Sequence, residues 1–519
     1  MRERNGRHVD VGGGLARRQS GDHRMRVSDV RFSLIAGLAA AGLMTVGCGD
    51  HGTGTGPGGS SVRLLYGDGA TDTILAEPAQ ALVVEVRGEN GVPVSGTVVR
   101  FQSVPIDSAH PYSLGAFVAA VTSPFFGDFV ADSTDSRGRA SVLIKLGQST
   151  GAARLLVSAP EFGLQDTARF TVLPGNAAHV VVQPKDTALY GGGSFQARAS
   201  VTDRFGNPRS DPVSYSNSSV AINITPSGTV SAGASVARAF YKASARGWTD
   251  TGWVSVVPRG TVAALQTGTF AAHGAGIVVF NVDGSGYQWI GPGGSWYNAA
   301  ATWSPSGTTL AFGLNPGSLN WLYTSDLSGN ERALLTPGDS GLTIASWPAY
   351  SPDGATLYFS GATTGNFAVW RANADGTAPH QVYADPSGLA WRPSPSSDGT
   401  RLSITIGNPS YIRVFTLASA SVSSWAIPGH TPRWSPVGET IAFVQQYGGT
   451  VSVVNSNGTG AHQVSPVGRS YEEGSLTWST DGAWLLARAA GTLELINVST
   501  GTTLPLGYAT QFVEPAWKP

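Results

Sequence analysis

A five-residue signature, aromatic-Ser-Pro-x-Gly, constrains this chain more than any other feature. It stands as Trp303-Ser304-Pro305-Ser306-Gly307, Tyr350-Ser351-Pro352-Asp353-Gly354 and Trp434-Ser435-Pro436-Val437-Gly438. Trp478-Ser479-Thr480-Asp481-Gly482 is a fourth copy, and Pro395-Ser396-Ser397-Asp398-Gly399 is a degenerate fifth. The glycines follow one another at 47, 45, 39 and 44 residues. A fixed period of this length means that one small supersecondary unit is repeated, each copy burying its apolar face against the next.

Each signature precedes a short apolar run: Thr309-Leu310-Ala311-Phe312, Thr356-Leu357-Tyr358-Phe359, Arg401-Leu402-Ser403-Ile404, Thr440-Ile441-Ala442-Phe443 and Trp484-Leu485-Leu486. Such runs read as strands packed between neighbouring sheets. Further on come tight-turn sequences such as Asp326-Leu327-Ser328-Gly329, Asn373-Ala374-Asp375-Gly376 and Asn455-Ser456-Asn457-Gly458, whose Asp, Asn and Gly residues suit hairpins. The unit is therefore a propeller blade. Asn281-Val282-Asp283-Gly284 marks one more blade without a signature, and Pro515-Ala516-Trp517-Lys518-Pro519 matches the register of Pro348-Ala349-Tyr350-Ser351-Pro352. One blade shared between the two ends of the repeat region makes six, and closure of the ring removes exposed sheet edges.

The signature and turns together resemble the TolB-like propeller across residues 262–519. That resemblance implies a six-bladed ring with a ligand funnel where its central channel opens. It also brings a rival expectation, because TolB-like propellers occur in prolyl-peptidase-family proteins and in oligogalacturonate lyases. The first kind needs a following α/β-hydrolase domain, and the second uses metal-binding histidines, for which this propeller offers His273, His380, His430 and His462 in different loops.

The N-terminal part reads as an address. From Met25, taken as the true start, Arg26 and Arg31 form a charged region before the apolar run Phe32 to Val46, which is too short to span a bilayer comfortably. The run ends in Thr45-Val46-Gly47-Cys48, which resembles a lipobox, so residues 1–47 are expected to be removed and Cys48 to carry the acyl chains. Diacylation would anchor the protein to a membrane without spanning it. Gly49 after the cysteine resembles an outer-membrane signal. Residues 48–61 read as a lipidated flexible tether, the Gly/Thr-rich stretch 49–60 being a coil.

Two sandwiches are expected next. Alternation in Ala81 to Val86 and Thr97 to Phe101, with later segments around Asp135-Ser136-Arg137-Gly138 and Leu155-Leu156-Val157, gives short strands with turns over 62–173. The pattern is similar to the invasin/intimin type of bacterial Ig-like repeat. An aromatic insertion in 103–133, with Phe117, Phe125, Phe126 and Phe129, is expected to pack on the neighbouring domain. Residues 177–260 resemble a second bacterial Ig-like group through Tyr215-Ser216-Asn217 and Trp253-Val254-Ser255-Val256-Val257. The chain is thus expected to be all-β, with two Ig-like β-sandwiches followed by a six-bladed propeller. The boundary falls near 262, with residues 262 to 272 assignable to either side.

The formal net charge is -1, which supplies no field for counterion release from a phosphate backbone and argues against nucleic acid. Gly338-Asp339-Ser340-Gly341 resembles the nucleophile segment of trypsin-like proteases, but no matching His and Asp segments accompany it. No metal-ligand spacing occurs, and no cofactor or catalytic group is expected.

Residues just ahead of the signatures mark the funnel: Trp347, Trp391, Arg392, His430, Glu472, Glu473 and Glu514. They vary from blade to blade, which suits recognition, although an ordinary capping surface fits them as well. The tryptophans Trp303, Trp434, Trp478 and Trp517 recur at one position and read as inter-blade core. The leading expectation is a binding lipoprotein of the outer membrane or cell surface, whose sandwiches form a stalk presenting the propeller to an envelope protein or glycan. The alternatives are a propeller enzyme acting on polysaccharide and an adhesin working through the Ig-like domains.

Overall fold

The computed structural model of the protein describes residues 54–55, 59–106, 113–266, 276–290, 301–314, 321–335, 339–363, 365–507, 509 and 511–519. The export segment, Cys48, Gly338 and His273 lie outside the described residues. What is described is all-β, and no helix in it is long and apolar enough to cross a membrane.

Residues 54–173 form two five-stranded sheets. Strict alternation in Arg139–Leu146 sends Ala140, Val142, Ile144 and Leu146 inward, where they meet Phe101, Leu155 and Phe170 of the facing sheet. The coil expected over 49–60 is shortened, because Gly54–Thr55 pairs antiparallel with Ser61 and Val62. The aromatic insertion also departs from expectation. Phe125 is 82% and Phe129 48% exposed rather than packed on a neighbour, while Phe126 lies under Lys145 Nζ at 5.3 Å. Ser61–Tyr66 and Arg139–Leu146 both run antiparallel to Leu82–Arg87 between them, so they share a direction. The first sandwich therefore starts at one pole and meets the second at the other, where Asn207 Nδ2 donates to Gln148 O (2.7 Å) and Thr150 N donates to Asn207 Oδ1 (3.2 Å).

The second sandwich, residues 177–257, is built from sheets of three, four and three strands around Val182, Val230, Tyr241 and Val254. Its join to the propeller is packed. Ala188 and Val257 share a core with Leu504 and Leu506, Tyr190 OH donates to Gly260 O (2.7 Å), and Arg238 reaches Asp186 Oδ2 (2.7 Å) and Pro505 O (3.3 Å).

Six blades follow. Blade 1 comprises Thr261–Gln266, Gly276–Asn281 and Gln288–Trp289, with Phe512–Trp517 as its inner strand. Thr261–Gln266 thus sits in the propeller sheet. The inner strands of blades 2 to 6 are Thr302–Trp303, Ile344–Tyr350, Ala390–Pro395, Ile427–Trp434 and Tyr471–Trp478. The second strands, such as Thr356–Ala362 and Arg401–Ile406, are buried nearly throughout because blades cover both their faces, and each blade-to-blade seam carries its own apolar cluster. Blades 4 and 5 merge into one sheet, with Tyr411 and Ile412 pairing with Pro428 and Ile427. The outer strand of blade 4, Ser421–Val422, has only two residues, and this is the seam with the shortest repeat spacing.

The signature has a hydrogen-bonding reason. Ser351 Oγ donates to Asp353 Oδ1 (2.5 Å) and accepts from Thr356 N (2.9 Å), while Gly354 turns the chain at φ 73°. Ser396 and Ser479 repeat the arrangement. The serine hydroxyl holds the carboxyls of Asp353 and Asp398 below the usual carboxylate range.

Candidate functional site

The inner strands do not run straight. A β-bulge interrupts five of them, between Ser346 and Ala349, Trp391 and Ser394, His430 and Arg433, Tyr471 and Leu476, and opposite Ala263 and Leu265. At each bulge one residue takes a left-handed backbone: Trp347 (φ 51°), Arg392 (53°), Thr431 (54°), Gly474 (84°) and Glu514 (49°). Such angles are uncommon outside glycine and accumulate at functional positions. A bulge re-aims a side chain, and four of the five bulges here carry one at the turned residue: Trp347, Arg392, Thr431 and Glu514. Gly474 has a specific need to lack a side chain, since a Cβ there would lie 2.5 Å from Glu514 Oε1 and 3.1 Å from Arg392 Nη1.

Hydroxyl groups lock these bulges across the seams. Arg392 N donates to Ser360 Oγ (2.8 Å), Trp434 N to Ser394 Oγ (2.9 Å), Gly474 N to Thr431 Oγ1 (3.0 Å) and Trp517 N to Thr477 Oγ1 (3.1 Å). Each bond joins the inner strand of one blade to its neighbour.

Six of the seven sequence-predicted residues gather at one mouth of the channel. Arg392 is the hub. Its guanidinium carbon lies 4.6 Å from the Trp347 ring centre, its Nε 3.6 Å from Glu473 Oε1 and its Nη2 3.8 Å from Glu514 Oε1. Trp347, Trp391 and Phe367 form an aromatic shelf, with ring centres 5.9 to 6.1 Å apart. His430 is half-buried beside Thr431 (Nδ1 to Oγ1, 3.2 Å) and feels the charges of Glu473 and Arg392. Glu472 turns away and pairs with Arg488 instead.

The electrostatics are those of a dry polar cluster. Arg392 is only 6% exposed, and among the described residues neither its Nη1 nor Glu514 Oε2 has a hydrogen-bond partner. Burial raises the Glu514 carboxyl against the pull of Arg392 and Arg433, and burial depresses the His430 imidazole despite the nearby Glu473. Burial, with the adjacent charge of Arg392, lowers the Arg433 guanidinium to about 10.

Arg433 is the residue that sequence reasoning missed. It stands mid-channel, in a cavity of about 220 Å³ that also touches Trp347, Thr302, Ser394 and Ala516. Below it, at the mouth formed by the signature turns, a second cavity of about 360 Å³ is walled by Trp303, Tyr350, Trp434, Trp478 and Trp517. These tryptophans are 4% to 7% exposed, so they are inter-blade core and cavity wall at once.

The remaining motifs find other uses. Ser340 Oγ donates to Pro379 O (3.0 Å), so this hydroxyl joins two loops. His380 bonds Arg371, and His462 Nδ1 lies 2.8 Å from Gly460 O. Among the described residues no group of three or more His, Cys, Asp or Glu side chains is placed to hold a metal.

Fold and mouth define a β-propeller with a polar, aromatic-rimmed funnel. Residues 264–480 match the family of the TolB beta propeller domain, so the propeller is of the TolB type. An uncharacterized protein of Agrobacterium fabrum is 24% identical over 161 residues, 28% of this chain and 54% of its own length. The chain thus spans about half the length of that curated relative. Among solved structures, TolB from Acinetobacter baumannii aligns with a TM-score of 0.43 and 17% identity, covering 59% of this chain and 83% of that one. An oligogalacturonate lyase from Vibrio parahaemolyticus aligns at 0.32 and 14%, covering 48% and 73%.

Proposed function

We propose that this protein is a non-catalytic cell-envelope lipoprotein, anchored through Cys48, whose two Ig-like sandwiches form a stalk that presents the propeller funnel to an envelope protein or glycan. The observation that carries the reading is the pair of buried, unpartnered polar atoms, Arg392 Nη1 and Glu514 Oε2, beneath an aromatic shelf. Buried polar atoms are ordinarily satisfied, and a donor and an acceptor left open on two ion-paired residues suit a ligand that brings both. Aromatic and arginine anchors are also the side chains that dominate binding surfaces. The stalk is supported by the poles of the first sandwich, since its strand Ser61–Tyr66 starts at the end opposite the contact with the second sandwich. The lipobox-like Thr45-Val46-Gly47-Cys48 and the following Gly49 support an outer-membrane or cell-surface position.

The test uses the full chain. Acyl labelling with a palmitate analogue is expected in the wild type and lost in Cys48→Ala. Immobilised wild type is expected to retain a discrete protein or glycan from detergent-solubilised envelope, and a variant combining Trp347→Ala, Arg392→Gln and Glu514→Gln is expected to lose it. Equal retention by the variant, or none by either, would refute recognition through the funnel.

A further inference from the structure

We propose that the mouth formed by the signature turns is a second site, which binds a small organic acid: one flat or branched apolar body carrying a single carboxylate, held by Arg433. The inference goes beyond the funnel reading, because none of the seven funnel residues lines this cavity.

Size and lining set the body of the ligand. About 360 Å³ is at the lower end of small-molecule sites, which typically hold roughly 300–1,000 Å³. The walls are indole, phenol and proline rings, including Trp434, Trp478, Trp517, Tyr350 and Pro436. Ser397, Ser435, Thr477 and Thr480 stand among these rings, so the chamber suits a flat or branched apolar body that carries one polar end.

Arg433 sets the head group. Its Nε donates to Leu476 O (3.1 Å) and its Nη1 to Pro432 O (3.3 Å). Arginine has five N–H groups, so these two carbonyls leave much of the fork free. Among the described residues no carboxylate forms an ion pair with it within 4.0 Å; Glu514, whose charge it feels, is itself paired with Arg392. Arg433 is half-buried and lines both the mid-channel cavity and this mouth, so its guanidinium is within reach of a ligand in either. A carboxylate entering from the signature side would complete the pair with a charge-assisted, two-pronged contact, while its apolar body fills the aromatic chamber.

The probe is 3-phenylpropionate, compared with 3-phenylpropionamide, which has the same shape but no charge. Both are titrated into the full protein by calorimetry and by tryptophan fluorescence. The acid is expected to bind and to shift the emission, with the amide at least tenfold weaker. Arg433→Gln is expected to abolish the difference between the two, and Arg433→Lys, which keeps a cation, to retain part of it. Because the acid–amide contrast is measured on the unaltered chain, a variant that unfolds does not void the test. Equal binding of acid and amide, or no binding of either, overturns the proposal and leaves the envelope capture at the funnel unaffected.

Discussion

At the scale of single residues, the funnel depends on groups whose neighbours hold them away from their ordinary protonation behaviour. His430 favours its neutral form because it is buried, with Glu473 opposing that preference and Arg392 reinforcing it. In the unfolded chain the imidazole titrates near about 6.5. Below that pH the unfolded state takes up a proton that the native state resists, so stability contributed by neutral His430 is present above about 6.5 and is lost as the pH falls toward the lower native value. Replacing His430→Asn is expected to flatten the fall in urea midpoint between pH 7.5 and pH 5; parallel curves for wild type and variant would contradict this. Residue types at the funnel were legible because they stand directly ahead of a repeated signature. Arg433 was not, since in Pro432-Arg433-Trp434 it reads as the polar partner in an alternating strand. Only the closed ring turns that face toward an axis shared by six strands.

Among the elements, the inner strands carry the most information that was hidden in the sequence. The signature announces the turn that ends each of them, and its Ser and Asp show why that turn is hydrogen-bonded. Gly474 apart, nothing in the sequence marks the bulge three residues ahead of the signature's first residue, because its other occupants, Trp347, Arg392, Thr431 and Glu514, are not turn formers. At Arg392 and Gly474 the positive-φ residue is held across the seam by a hydroxyl, from Ser360 and Thr431, that looks like an ordinary strand residue. Thr431→Val preserves shape and removes the acceptor for Gly474 N. Leaving that buried amide unpaired is expected to cost about 1–3 kcal/mol, read as a lowered denaturation midpoint, whereas an unchanged midpoint would mean that the bulge holds without its hydroxyl. The merging of blades 4 and 5 was equally hidden, although the short repeat spacing there is its trace. In the first sandwich the aromatic insertion was expected to pack on the neighbouring domain, but Phe125 is 82% exposed, and aromatic content alone does not tell a surface ring from a packed one.

For the whole molecule, the join between the second sandwich and the propeller decides whether the two behave as one body. Arg238 links Asp186, Ser255 and Pro505, and its partly exposed ion pair contributes about 1 kcal/mol or less; the apolar contact of Ala188 and Val257 with Leu504 and Leu506 lies beside it. Arg238→Ala is expected to broaden a shared calorimetric unfolding peak or split it in two, and an unaltered single peak would show that the apolar contact alone couples the domains. The same junction has a mechanical meaning. Thr261–Gln266, the first propeller strand after the sandwich, is flanked on one side by Gly276–Asn281 and on the other by Phe512–Trp517, antiparallel to both. A pull arriving through the sandwich would load that strand along its length, against two rows of hydrogen bonds acting in shear, instead of peeling it open one bond at a time. A ring latched in this way resists a load applied through the second sandwich while its funnel keeps its shape.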